Sequence, residues 1–294
     1  MKIAAATDFA GSTGDPDMSL RALSEGGFRS LHWCHHWCDD FLYGKHEIAY
    51  IKSLLKKYDL ELLDIHGSHG AEKAWCALDE YQRKEGVELV KNRIEMLREL
   101  DGRGTIMMHI PFYKENEPPE RRALIDRHME ALYRSLDELI PHLEKNGTMI
   151  AVENMWAETW EGIERIMERY PEKYLGICYD SGHANASAGE RMDLLEKNKM
   201  RLQALHLHDN DGNGDLHQPP FYGTINWERL AKIIATSSYT REVSFEMAIN
   251  NTPFFVTDPD GKRISQPYEA RLAFAKDAFE RCSRFAKMVE ELRK

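Results

Sequence analysis

Acidic and imidazole side chains recur in this sequence directly after short apolar runs, where an unpaired charge costs several kcal/mol, on the order of the desolvation of a buried ion. Glu153 follows Ile150-Ala151-Val152, Asp180 follows Ile177-Cys178-Tyr179, His206 follows Ala204-Leu205, and Glu246 follows Val243-Ser244-Phe245. Four such placements predict one shared divalent metal held by Glu153, Asp180, His206 and Glu246. Three carboxylates and an imidazole suit Mn2+ or Zn2+ best, with Co2+, Fe2+ and Mg2+ as further matches, and suit Cu+ poorly. Two glutamates facing each other across such an ion suit proton transfer at carbon. Glu153 or Glu246 would remove the proton beside a carbonyl, and the other would return it by way of an enediolate, yielding an epimer or isomer of a sugar. The same ligands around several ions would instead activate water for attack on phosphorus.

A second set of residues extends the first. His66, His109, His183, Asp215 and His217 are expected as additional ligands if more than one ion binds, so the ligand set alone leaves one ion or several. His183 and His208 are expected to hold substrate hydroxyls or to serve as further ligands. Trp33 and Trp156, with Trp37, Trp75 and Phe112 as further aromatic candidates, would pack against the C–H faces of a sugar. Asp8, His32, His69 and Asp209 fall at comparable positions.

The elements that must position these residues are legible from the changing hydrophobic period. Strands are predicted over Lys2–Phe9, Phe28–Cys34, Glu61–Ser68, Gly104–Ile110, Thr148–Met155, Leu175–Asp180, Leu202–Asp209 and Glu242–Met247. Helices are predicted over Met18–Glu25, Glu47–Tyr58, Tyr81–Leu100, Glu120–Glu144, Trp160–Arg169, Ala188–Lys199, Trp227–Ala235 and Ala270–Leu292. Strict alternation implies parallel strands joined by crossovers. Eight such units in about 250–300 residues match an α/β fold of the closed (β/α)8 TIM-barrel type, read as one domain over residues 1–294. The turn Thr7-Asp8-Phe9-Ala10-Gly11-Ser12 lacks the glycine pattern of a dinucleotide-binding open sheet. In a barrel every strand C-terminus opens on one face, so residues far apart in sequence share one mouth. Asn250–Pro267, rich in Asp, Asn, Pro and Gly, is expected as a loop over that mouth.

Composition narrows the partners. The 294 residues carry 39 Lys plus Arg against 49 Asp plus Glu, a net charge of −10, which argues against a nucleic-acid or anionic-lipid surface. The expected partner is a small sugar or cyclitol. No run approaches the roughly 18 apolar residues of a membrane span, and Met1–Phe9 lacks a secretory pattern. Five cysteines are too few for a disulfide scaffold, so free thiols and a cytoplasmic setting are expected. The outer helix faces of a barrel leave a homo-oligomer open.

Val152-Glu153-Asn154, Asp180-Ser181-Gly182-His183, His206-Leu207-His208-Asp209-Asn210 with Asp215-Leu216-His217, Gly223-x-Ile225-x-Trp227 and Phe245-Glu246 together resemble the xylose-isomerase-like TIM-barrel superfamily. The resemblance spans essentially the whole chain. In its ketose 3-epimerase branch the positions of Glu153, Asp180, His206 and Glu246 hold one metal, the two glutamates form the catalytic pair, and the position of His183 touches substrate. His208 stands where that pattern has a small or amide residue. In the endonuclease IV branch a trinuclear zinc site has counterparts here at His66, His109, Glu153, Asp180, His183, His206, Asp215, His217 and Glu246. The resemblance therefore implies a divalent-metal-dependent sugar or sugar-phosphate isomerase or epimerase. A trinuclear-zinc phosphoester hydrolase and a non-catalytic sugar-binding barrel are the alternatives.

Overall fold

The computed structural model describes residues 2–111, 118–155, 159–186 and 191–294. The strands are β1 (Ile3–Ala6), β2 (Ser30–Trp33), β3 (Glu61–His66), β4 (Ile106–Met108), β5 (Ile150–Glu153), β6 (Leu175–Asp180), β7 (Leu202–His206) and β8 (Val243–Phe245). The helices are α1 (Asp17–Gly26), α2 (Lys45–Lys57), α3 (Glu80–Glu99), α4 (Pro119–Asn146), α5 (Thr159–Arg169), α6 (Ser181–Ala186), α7 (Met192–Asn198), α8 (Trp227–Ala235) and α9 (Tyr268–Leu292). All eight strands are parallel neighbours in the order β7-β6-β5-β4-β3-β2-β1-β8. A parallel bridge between Leu207 and Phe245 joins the two remaining edges, with the Leu207 amide donating to Ser244 O at 3.2 Å and the Glu246 amide to Leu207 O at 3.1 Å. The result is the (β/α)8 barrel.

Local chemistry accounts for the element ends. Asp79 accepts from the Gln82 amide at 3.0 Å and caps α3, and Asn226 accepts from the Arg229 amide at 3.0 Å and caps α8. Gly147, at φ 64°, takes the left-handed turn that stops α4. Strand alternation then sorts the core into two compartments. Ile150, Val152, Leu205, Leu207, Val243 and Phe245 join the large apolar layer between sheet and helices, whereas Met107, Ala151, Cys178 and Ala204 form a separate small cluster inside the barrel. Small interior residues leave room above them for polar side chains at the strand ends.

Most strands are shorter than the periodicity reading gives them, β1 ending at Ala6 rather than Phe9 and β4 running Ile106–Met108 rather than Gly104–Ile110, and two further differences have identifiable causes. Of the expected helix over Ala188–Lys199, residues 188–190 lie outside the described residues and α7 covers Met192–Asn198, and a separate short helix, α6, starts immediately after β6. Its first turn is stabilised by Asp180, whose Oδ1 accepts from the His183 amide at 2.7 Å. Apolar periodicity carries no trace of such a side-chain bond. The expected strand over Leu202–Asp209 ends at His206, because Asp209 pairs antiparallel with Gln218 instead. All five cysteines are free thiols, and Cys34, Cys178 and Cys282 are buried.

Candidate metal centre

Glu153, Asp180 and His206 are the last residues of β5, β6 and β7, and Glu246 follows β8. Their donor atoms lie within 4.8 Å of one another. Three of the four side chains are fully buried, and Glu246 is 9% exposed. His206 Nδ1 lies 3.1 Å from Glu153 Oε1 and 3.0 Å from Glu246 Oε2, so both glutamates converge on one point.

The additional residues assemble as well. His66, His109 and Glu153 form a second cluster of potential donors, in which His109 Nε2 lies 2.9 Å from Glu153 Oε2. Glu153 therefore bridges, with one carboxylate oxygen toward each cluster. His183, His208, Asp215 and His217 form a third. In it, Asp215 Oδ2 lies 3.4 Å from His183 Nε2 and 3.1 Å from His217 Nε2. His208 Nε2 lies 3.0 Å from Asp180 Oδ1, which ties the third cluster to the first.

Imidazole orientation follows a common rule. His66 Nδ1 is 2.8 Å from Gly67 O, His183 Nδ1 is 3.1 Å from Asn154 O, and His217 Nδ1 is 3.1 Å from Glu246 O. A carbonyl only accepts, so Nδ1 carries a proton in each and Nε2 is the nitrogen turned toward the clusters. Metal-ligating histidines are oriented in this way by their other ring nitrogen. His217 holds its place at φ 49°, in the left-handed region that non-glycine residues seldom occupy. Gly182 is required beside it: a Cβ there would lie 1.8 Å from Cε1 of His208.

Electrostatics separates the acids from the imidazoles. Burial pushes the Glu153 carboxyl up, but the imidazoles of His206 and His109 outweigh it and hold it well below its usual range. Burial likewise raises Glu246, and His206 and His217 override it and hold it low. Burial lowers His206, while Glu246 and Glu153 drive it well above its ordinary value. Among the described residues no lysine or arginine pairs with Glu153, Asp180 or Glu246. Three buried carboxylates without a permanent cation, together with imidazole nitrogens aimed among them, fit a divalent metal.

Over the clusters lies a cavity of about 440 Å³ whose lining includes Asp8, Trp37, His217, Glu246, Phe255 and Arg263. Burial and the charge of Glu246 push Asp8 up to about 6. Trp37, 4.6 Å from the His66 ring, supplies an aromatic wall. Trp33 faces the other way, with Nε1 donating to the Tyr43 hydroxyl at 2.8 Å, because His32 takes the inward position and successive strand residues alternate. Trp75 is buried and donates to His109 O at 3.0 Å. Trp156 and Phe112 lie outside the described residues. Asp209 is turned to α8, where it accepts from Trp227 Nε1 at 2.9 Å.

Sequence reasoning passed over three participants. Asp64, buried beside the centre, accepts from His32 Nδ1 at 2.6 Å, and the His32 ring lies 4.3 Å from that of His206. An acid two residues before His66 within Leu62-Leu63-Asp64-Ile65 was the available signal. Cys178 borders Glu153 and His206, as its position two residues before Asp180 implies. Arg263 has no local signal at all.

Comparison with known proteins agrees with this architecture. The family described as "Xylose isomerase-like TIM barrel" matches residues 20–267. An uncharacterized protein, y4fM, of Sinorhizobium fredii is 28% identical over 251 residues, covering 78% of this chain and 79% of that one. Among solved structures, a D-tagatose 3-epimerase-like protein superposes with a TM-score of 0.74 at 22% identity over 99% of both chains. A D-psicose 3-epimerase, crystallised in the presence of D-fructose, superposes at 0.73 with 16% identity over 100% of both. At such identities the likeness is one of fold. With a match across most of its length and an eight-stranded parallel barrel, the chain belongs to the xylose isomerase-like TIM-barrel family.

Proposed function

We propose that the protein is a divalent-metal-dependent isomerase or epimerase of a small sugar, with Glu153 and Glu246 as the catalytic pair and Glu153, Asp180, His206 and Glu246 as the principal ligands. The observation that carries this reading is the convergence of the two glutamates on His206 Nδ1, at 3.1 and 3.0 Å. Mn2+ and Zn2+ are the ions best matched to three carboxylates and one imidazole. The ion, when bound, polarises a carbonyl and offsets negative charge as it develops. One glutamate accepts the proton on the carbon beside that carbonyl. The C–H electron pair moves into the new carbon–carbon double bond, and the carbonyl oxygen takes up the negative charge. The other glutamate returns a proton, to the opposite face or to the neighbouring carbon. His183 and His208 orient hydroxyls, and Trp37 packs on the sugar's C–H face. Solved structures of the same fold that are named as sugar 3-epimerases support this choice of chemistry. The net charge of −10 favours a small substrate over a nucleic acid.

A second reading, a multinuclear phosphoester hydrolase, is favoured by the bridging of the first two clusters through Glu153 and of the first and third through His208 and Asp180. Two measurements separate the readings. Solvent deuterium entering a ketose at the carbon beside its carbonyl supports the isomerase. Three ions per chain with phosphodiester cleavage and no such exchange would overturn it.

A further inference from the structure

The segment expected as a loop over the mouth is a built hairpin. Thr257 and Arg263 pair antiparallel across it, and Asp258 closes its turn by accepting from the Lys262 amide at 2.7 Å. Gln266, 2% exposed, pins its base: the Val256 amide donates to Gln266 Oε1 at 2.8 Å, and Gln266 Nε2 donates to Val256 O at 2.9 Å. A buried side-chain amide satisfied on both sides holds the two arms of the hairpin together, and Arg271 Nε of α9 donates to Gln266 O at 2.8 Å and ties the base to the barrel's last helix.

This scaffold carries Phe255 and Arg263 into the cavity wall that Glu246 and His217 also line. The Arg263 guanidinium lies 5.5 Å from the centre of the Phe255 ring. It is the one lysine or arginine among the described residues lining that cavity. Unlike Arg83, Arg103 and Arg165, it has no carboxylate partner among the described residues, although the chain carries an excess of acids. A cavity with the candidate metal ligands Glu246 and His217 in its lining and a guanidinium without a carboxylate partner in its wall suits a molecule with a carbonyl at one end and an anion at the other.

Resting on the proton-transfer reading above, we infer that the substrate is an acidic sugar and that Arg263 is the specificity-determining residue that binds its carboxylate. A guanidinium fork matches the two oxygens of a carboxylate. One fork balances a single negative charge. A phosphate dianion would demand further cations where the cavity instead presents Asp8 and Glu246.

The test measures binding of D-fructuronate, D-fructose and D-fructose 6-phosphate to the Mn2+-loaded protein by calorimetry. It is run on wild type, Arg263→Gln, Arg263→Lys and, as a charge-matched control outside the cavity, Lys262→Gln. The uronate is expected to bind wild type about 10- to 100-fold more tightly than fructose, the range of a charge-assisted hydrogen-bonded pair. Arg263→Gln should erase that ratio, Arg263→Lys should restore part of it, and Lys262→Gln should keep it. Equal affinities for uronate and fructose in wild type, tighter binding of the phosphate than of the uronate, or an equal loss in Lys262→Gln would each overturn the inference. A salt titration of wild type alone gives an answer independent of variant folding: the uronate's advantage should shrink with ionic strength, and an advantage indifferent to salt would overturn the assignment. Deuterium exchange into the same sugars reports on the reaction separately, so a failure of the chemistry is distinguishable from a failure of the charge preference.

Discussion

Glu246 Oε2 and His206 Nδ1 lie 3.0 Å apart, although His206 ends β7 and Glu246 follows β8, the two strands whose edges meet at the Leu207–Phe245 bridge. That contact brings the second glutamate to the point Glu153 already occupies. Replacing Glu246 by Gln keeps the shape but removes a base. Proton exchange beside the carbonyl should fall by about 10²- to 10⁴-fold, while sugar binding measured by calorimetry persists. Undiminished exchange in Glu246→Gln would remove this residue from the catalytic pair.

Metal binding should expel protons. Burial lowers both imidazoles, yet His183 is pushed up to about 10 by Asp180 and Asp215, and His217 to about 9 by Asp215 and Glu246. Both are thus protonated at neutral pH without a bound cation, and a ligand nitrogen must first lose its proton. Affinity for Mn2+ or Zn2+ should therefore rise between pH 6 and 9. The binding enthalpy should vary with the ionisation enthalpy of the buffer, and a buffer-independent enthalpy would contradict the shifts.

The same shifts set a sign for stability in the chelated protein. Folded values above the ordinary 6.5 mean that the contribution of His183 and His217 is complete below about pH 6.5 and is lost as pH rises through about 9 to 10. Melting temperatures of chelator-treated protein should fall across that window. Added metal at 100-fold its Kd should contribute about 2.7 kcal/mol, and its benefit should grow with pH where the chelated protein weakens.

Gly182→Ala tests the third cluster and its link to Asp180. The new methyl would lie 1.8 Å from His208 Cε1, so the ring must leave its place against Asp180 and Asp215. The crowding should cost about 1–3 kcal/mol in a urea melt. Metal per chain should drop if the third cluster is loaded in wild type, and an unchanged stoichiometry would show that His208 holds no ion.

Asp64→Leu addresses the buried pair. It leaves His32 Nδ1–H without the acceptor now 2.6 Å away, inside the barrel where both side chains are buried. A destabilisation of about 1–3 kcal/mol is expected from the unsatisfied donor, read as a lower urea midpoint at constant slope. A neutral outcome would mean that the barrel interior admits water.

Much of the fold and part of the site were legible before any coordinates. The alternation of period two and period 3.6 is local physics, set by which faces of each element must be apolar, so it announced eight βα units and placed Glu153, Asp180 and His206 at strand ends. Inward direction was equally readable from alternation, and Trp33 was misplaced only where that rule was not applied beside His32. What depends on long-range closure left no local mark. The seam between β7 and β8, the turning of Asp209 toward Trp227, the carbonyls that aim His66, His183 and His217, and the hairpin that carries Arg263 to the mouth all join residues tens of positions apart. Sequence alone determined which chemical groups reach the barrel mouth, because hydrophobic patterning dictates where each strand ends. Only the tertiary structure decided which atoms of those groups face one another, because that depends on the register and closure of the whole sheet.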